Sequence, residues 1–340
     1  MRGAVIRAPG DVRFEKRDDP TIEHPTDAIV RLSATCVCGS DLWDYRGINP
    51  VTEPTPMGHE YVGIVEAVGS RVTRITPGQF VIGSFFASDN TCEICQAGYQ
   101  TSCLHREFVG ANGAQAEYLR VPLADGTLVA TADVPDTAPI PSLLAASDVL
   151  GTGWFGAVAA AVEPGKTVAV VGDGAVGLLG VLAANQLGAE RIIAFSRHES
   201  RQQLAREFGA TDIVTERGDD GVAKVKDLTN GLGAHSVIEA VGTQESMTQA
   251  IRSTRPGGHV GYVGVSHDVA LPGEKLFYSH VHLHGGPAPV RRFLPDLIDR
   301  ICKREINPGK VFDLTLPLAQ VAEGYKEMDE RRAIKTLLQP

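Results

Sequence analysis

The sequence predicts an α/β protein in two parts, a strand-rich barrel-like unit followed by a doubly wound parallel sheet. Three observations carry this. Val- and Ile-rich runs follow one another through the first third with no helix-period segment between them. Beyond about residue 140 the texture changes, and strand-like and helix-like segments alternate. The length of 340 residues leaves room for about two domains.

The elements follow in order. MRGAVIRA, DAIVRLSAT, EYVGIVEAVG and QFVIGSFF are short apolar runs bounded by Gly, Pro, Asp and Asn, the pattern of strands. Residues 86–112 form a polar excursion containing Cys and Gly, too long to hold its shape without an internal clasp. Pro141 to Ala161 reads as helix interrupted at Gly151-Thr152-Gly153. KTVAVVG, RIIAFS, DIVT, HSVIEAVG, GHVGYVG and HLHGG then read as strands, with AVGLLGVLAANQLG, ESRQQLAREFG and QESMTQAIRS as helices between some of them. The tail holds two helical stretches, VRRFLPDLIDRICKR and LAQVAEGYKEM, and ends in a strand-like RAIKTLL.

Composition narrows the function. Hydrophobic residues at 43% and charged residues at 21% are an ordinary globular mix. A net charge of −9 and only 6% aromatics argue against nucleic acid as a partner. No uninterrupted apolar run reaches the roughly 18 residues of a membrane span, and the N-terminus lacks a signal-peptide core. A cytoplasmic protein is expected. Six cysteines are too few for a disulfide scaffold, and three of them crowd one loop, as in metal sites.

KTVAVVG runs into Gly172-Asp173-Gly174-Ala175-Val176-Gly177 and then a helix. This is G-x-G-x-x-G in the strand–turn–helix setting that binds a dinucleotide. The first glycine permits the turn, the second lets the pyrophosphate approach, and the third lets helix pack on strand. The next strand ends at Ser196-Arg197, where an NAD site usually carries an acidic residue. A hydroxyl and a guanidinium suit a 2′-phosphate, so NADP(H) is expected over NAD(H), with His198 and Arg201 adding positive character. Solvated surface charge is the plainer reading of Arg197 and Arg201.

Cys38 and His59 are of the zinc-binding residue types, although a packed histidine and a small buried thiol would look the same. Asp89-x-x-Cys92-x-x-Cys95-x7-Cys103 has the spacing of a closed four-coordinate structural zinc site, the clasp that the long loop needs.

Cys38-Gly39-Ser40-Asp41, Gly58-His59-Glu60, the cysteine loop, Thr152-Gly153 and the Gly172–Gly177 turn occur in this order. Together they resemble the zinc-dependent medium-chain alcohol dehydrogenase family, over essentially the whole chain. The resemblance implies a GroES-like β-barrel-type catalytic domain over residues 1–149, a Rossmann NADP-binding domain over 150–286 and a C-terminal segment, 287–340, returning to the catalytic domain. It implies hydride transfer between a small alcohol or carbonyl compound and the nicotinamide, in a homodimer or homotetramer.

Residue by residue, the resemblance makes Cys38, His59 and Asp148 the catalytic zinc ligands, with Asp148 standing where relatives often carry Cys. Glu60 is the acidic neighbour that exchanges with water on the metal. Asp89 stands where the first structural Cys is expected, and a carboxylate oxygen is an acceptable substitute. Ser40 matches the hydroxyl that first carries the substrate proton. Trp43 replaces a relay histidine, and with Phe85 it lines the substrate pocket or packs in the core. Thr152 and Val176 fall on the nicotinamide side, Val263 and Val265 join the cofactor residues, and Lys335 resembles a tail cation that reaches cofactor phosphate. Cys36 and Cys302 match no ligand position and read as packing residues. Two other readings stay open: a zinc-free quinone or enone reductase on the same fold, and a non-catalytic NADPH-binding protein.

Overall fold

Strand Ala28–Cys36 organises the N-terminal unit. It pairs antiparallel with Tyr61–Val68, with Tyr118–Val121 and with the chain's last strand, Thr336–Gln339. The sheet runs Leu128–Ala130, Phe80–Gly83, Tyr61–Val68, Ala28–Cys36, Thr336–Gln339, Leu314–Pro317. Its interior packs Val30, Leu32, Tyr61, Val65, Val81, Leu119 and Leu128. The tail thus completes a sheet begun near the N-terminus. The computed structural model describes residues 1–271 and 273–340, Lys275 by its backbone alone. The described chain divides into Met1–Gly151 with Pro289–Pro340, and Thr152–Ala288.

Register decides what meets at one end of this sheet. Thr35 lies opposite Tyr61 on one side and Leu338 on the other. The residues just past these pairs are Val37-Cys38, His59-Glu60 and Lys335. Strands of alternating direction therefore deliver all of them to one place.

The second unit is a six-stranded parallel sheet in the order Asp212–Val214, Arg191–Phe195, Thr167–Val171, Ala234–Glu239, Thr254–Tyr262, His282–Gly285. Its central strands TVAVV and RIIAF are mostly apolar and buried, as strands covered on both faces must be. The strand order reverses between Thr167–Val171 and Ala234–Glu239, the place where such sheets bind ligands.

Several expectations are corrected. The helix after Pro141 breaks at Ser147-Asp148, not at Gly151-Thr152-Gly153, which lies inside helix Val149–Ala159. Gly153 is there for close packing: a Cβ would sit 2.7 Å from Gly180 N and 2.9 Å from Val176 O. Strand Asp11–Lys16 and helix Gly218–Leu228 were not anticipated. Their charges hid them, in DVRFEK and in the turn-like opening GDDG. Cys36 is buried as expected, but Cys302 is exposed at the end of its helix and fills no core. No single helix among the described residues is long and apolar enough to cross a membrane.

Candidate functional site

Cys38, His59, Glu60 and Asp148 converge, with one ligand atom from each inside a span of 4.8 Å and all four buried. Cys38 and His59 come from the sheet end described above, and Asp148 from the break between the two helices. His59 Nε2 lies 3.2 Å from Asp148 Oδ2, and Cys38 Sγ lies 3.9 Å from the same oxygen.

Asp41 orients this set. Its Oδ2 accepts from Cys38 N at 2.9 Å and from Gln115 Nε2 at 3.1 Å, and its Oδ1 lies 3.2 Å from His59 Nδ1. With Nδ1–H donating to Asp41, the Nε2 lone pair is aimed at Asp148 and Cys38. Gln115 is itself fixed, donating to Cys36 O at 3.0 Å and accepting from Tyr325 Oη at 3.1 Å. Gly58, at φ +88°, lets the chain reach His59, since a Cβ there would lie 2.5 Å from Gln115 Cγ.

The charges call for a cation. Burial disfavours the imidazolium, yet Asp41, Cys38 and Asp148 hold the His59 pKa well above its usual value. Burial pushes the Cys38 thiol up, so a thiolate there needs a positive neighbour. Glu60 is fully buried; its Oε1 accepts from Lys335 Nζ at 2.6 Å, and among the described residues Oε2 has no partner. Thiolate, imidazole and carboxylate around one point, with an orphaned carboxylate oxygen beside them, fit a zinc ion.

Lys335, expected on a cofactor phosphate, is buried here and gives its ammonium to Glu60 and to Val37 O. Ser40 stands at the N-cap of helix Asp41–Tyr45, but its hydroxyl makes no capping bond. Trp43 is half-buried on that short helix. Phe85 presents an edge to His59 at 6.1 Å, and Phe108, which was not anticipated, lies 5.9 Å away.

The second cluster, Asp89, Cys92, Cys95 and Cys103, also falls within 4.8 Å. Asp89 Oδ1 accepts from Thr91 N at 2.8 Å and Cys92 N at 3.0 Å, and its Oδ2 is 2.6 Å from His105 Nδ1. Against the cost of burial, these bonds hold the Asp89 carboxyl well below the usual range. Amides of Leu104 and Cys95 lower the Cys92 thiol, while Cys103 Sγ accepts from His105 N at 3.3 Å. A carboxylate kept ionised among three thiols suits a closed zinc site.

In the second unit the glycines divide as the fingerprint requires. Gly172 is at φ +119°, and a Cβ on Gly177 would lie 2.0 Å from Gly172 O. Gly174 opens onto space, with nothing within 4 Å of its Cβ position, at the N-cap of helix Ala175–Gln186. Ala175 and Val176 start that helix, so its first amides and dipole face the turn. Thr152 is buried one residue before Gly153, which packs on Val176 O. Val263 packs on helix Val149–Ala159 at Gly156, whereas Val265 is 54% exposed. Ser196 is buried at the strand end, Arg197 is exposed and Arg201 half-buried. Asp173, which sequence reasoning passed over, accepts from Ser196 Oγ at 2.8 Å.

The residues most easily missed were Asp41, Gln115, Lys335 as the Glu60 partner, His105 and Asp173. Only Asp41 left a signal, an acidic residue three positions after a ligand. The rest are set by long-range register.

Comparison with known proteins agrees with this geometry. The family described as "Alcohol dehydrogenase GroES-like domain" matches residues 24–133, and that described as "Zinc-binding dehydrogenase" matches residues 175–300. Zinc-type alcohol dehydrogenase B of Aspergillus flavus is 34% identical over 349 residues, spanning 99% of this chain and 81% of that one. The NADP-dependent isopropanol dehydrogenase of Thermoanaerobacter brockii is 32% identical, over 92% of this chain and 91% of its own. The solved alcohol dehydrogenase TADH from Thermus sp. ATN1 superposes with a TM-score of 0.91 at 32% identity, covering 100% of this chain and 99% of that one. The chain belongs to the zinc-dependent medium-chain alcohol dehydrogenase family, and it is an oxidoreductase with a GroES-like N-terminal domain and a Rossmann domain.

Proposed function

We propose that the chain interconverts small alcohols and their aldehydes or ketones with NADP(H), the convergence of Cys38, His59 and Asp148 beside Glu60 carrying the reading. In that reading a bound zinc ion supplies Lewis acidity to the substrate oxygen, and the nicotinamide accepts or gives the hydride. Cys38, His59 and Asp148 hold the metal, and Asp41 keeps the imidazole in the ligating tautomer. Glu60 holds a negative oxygen beside it, anchored by Lys335. Ser40 takes the substrate's proton and passes it on, since a hydroxyl both accepts and donates. Trp43 cannot continue that relay, because an indole N–H only donates, so water carries the proton away. Trp43 and Phe85, with Phe108 near His59, favour apolar or aromatic substrates. Ser196, Arg197 and Arg201 receive the 2′-phosphate. Asp89, Cys92, Cys95 and Cys103 hold a second, structural zinc. The working form is a homodimer or homotetramer.

The same convergence disfavours a zinc-free reductase, which has no use for two clusters of metal-binding side chains. The test is turnover of a panel of primary, secondary and aromatic alcohols with NADP+ and with NAD+. Oxidation of some members, faster with NADP+, is expected. No turnover with either cofactor by zinc-loaded protein would contradict the reading.

A further inference from the structure

Asp173 sits in the turn between strand Thr167–Val171 and helix Ala175–Gln186, between the first two glycines of the fingerprint. Its carboxylate is spoken for. Oδ2 accepts from Ser196 Oγ at 2.8 Å. Oδ1 lies 3.4 Å from Arg201 Nη1, which also donates to the Asp173 carbonyl at 3.2 Å. The Arg201 and Asp173 side chains keep only 12% and 15% of their exposure.

Ser196 and Arg201 are two of the three groups to which the proposed function gives the cofactor's 2′-phosphate. Both are turned onto one carboxylate. Ser196 has one proton and two acceptors for it inside the protein, Asp173 Oδ2 at 2.8 Å and His198 O at 3.5 Å, so the shorter bond to Asp173 leaves mainly lone pairs for a ligand. The Arg201 charge is compensated. Arg197, exposed at the next position, has no ion pair among the described residues. NAD-binding folds use a carboxylate at the end of the second strand to turn away the 2′-phosphate. Here that carboxylate reaches the strand end from the glycine turn.

We propose that Asp173 is the cofactor-discriminating residue of this chain: its carboxylate opposes the 2′-phosphate and holds the preference for NADP(H) over NAD(H) below what Ser196, Arg197 and Arg201 would otherwise give. The proposal rests on the reading that those three residues face the 2′-phosphate. A phosphate oxygen bound to Ser196 or Arg201 lies one hydrogen bond beyond groups already touching Asp173, where like charges repel strongly.

The experiment titrates NADPH and NADH, by quenching of protein fluorescence, into the full-length wild type and Asp173→Asn. The amide keeps the size of the side chain and an acceptor for Ser196, and removes the charge. NADPH is expected to bind at least about tenfold tighter to the variant, with NADH changing far less and the gain shrinking in high salt. An unchanged ratio of the two affinities would overturn the proposal. So would a loss of NADPH affinity relative to NADH, which would make Asp173 a positioning partner instead. Asp173→Ser carries the same expectation and the same contrary results should the amide variant fail to fold. Arg197→Ala, titrated in parallel, tests the underlying reading separately, because weakened NADPH binding with unchanged NADH is expected from it whatever Asp173 does.

Discussion

Lys335 Nζ and Glu60 Oε1 lie 2.6 Å apart, with side-chain exposures of 1% and 0%. Burial disfavours the ammonium, yet Cys36, Glu60 and Cys38 hold the Lys335 pKa well above its usual value. The tail strand that returns to pair with Ala28–Cys36 therefore brings a counter-charge to the candidate metal cluster of Cys38, His59, Glu60 and Asp148. Lys335→Met leaves the Glu60 carboxyl fully buried without its partner, and should cost about 3–5 kcal/mol in urea unfolding. Glu60→Gln combined with Lys335→Met should cost less than the sum of the two single changes, because no lone charge remains. Strict additivity would show that the pair is not coupled.

Asp41 touches His59 Nδ1 and Cys38 N together. Asp41→Ala frees the imidazole to turn and to change tautomer. Zinc affinity at this site, measured by competition with a chromogenic chelator, should fall about 10–100-fold while the second site keeps its metal. An unchanged affinity would show that Asp41 only braces the loop.

The glycines of the dinucleotide turn should separate stability from binding. Gly177→Ala forces a Cβ to 2.0 Å from Gly172 O and should destabilise the protein by about 1–3 kcal/mol or more. Gly174→Ala meets nothing within 4 Å. It should unfold like the wild type yet bind cofactor more weakly, since the methyl fills the face offered to the pyrophosphate. Thermal unfolding and cofactor titration on the same two samples check both halves.

Asp125 accepts from Thr73 N, Thr73 Oγ1 and Arg74 N, each at 2.8 Å. Burial raises its carboxyl, and these bonds outweigh it and leave the pKa below the usual value. A depressed carboxylate stabilises the fold fully above its unfolded pKa of about 4, and the contribution fades as pH falls through the lower folded value. Asp125→Asn should therefore destabilise at neutral pH and lose part of the acid sensitivity that sets in as pH falls below the unfolded carboxyl value of about 4. Parallel stability-against-pH curves for both proteins would contradict this.

Local chemistry made much of this molecule legible. Val- and Ile-rich runs alternating with helix-period segments marked the parallel sheet, and Gly172, Gly174 and Gly177 each have the surroundings that the motif demands. Cys38 and His59 stood out by residue type and Asp148 only by resemblance, and the structure brings the three together with Glu60. What escaped reading is what pairing across the chain decides. Nothing near Lys335 reveals that Leu338 lies opposite Thr35, which is what buries its ammonium against Glu60. Nothing near Asp173 shows that Ser196 and Arg201 turn toward it. Glycines 151 and 153 suggested a helix break but serve close packing on Val290 and Gly180, a need invisible without the neighbours.

Zinc content per chain tests the central claim most directly, measured on wild type, Cys38→Ser and Cys92→Ser purified without chelator. Two equivalents are expected in the wild type. One is expected in each variant, with alcohol oxidation abolished only in Cys38→Ser. Wild-type protein that holds no zinc, and gains no activity when zinc is restored, would contradict the account.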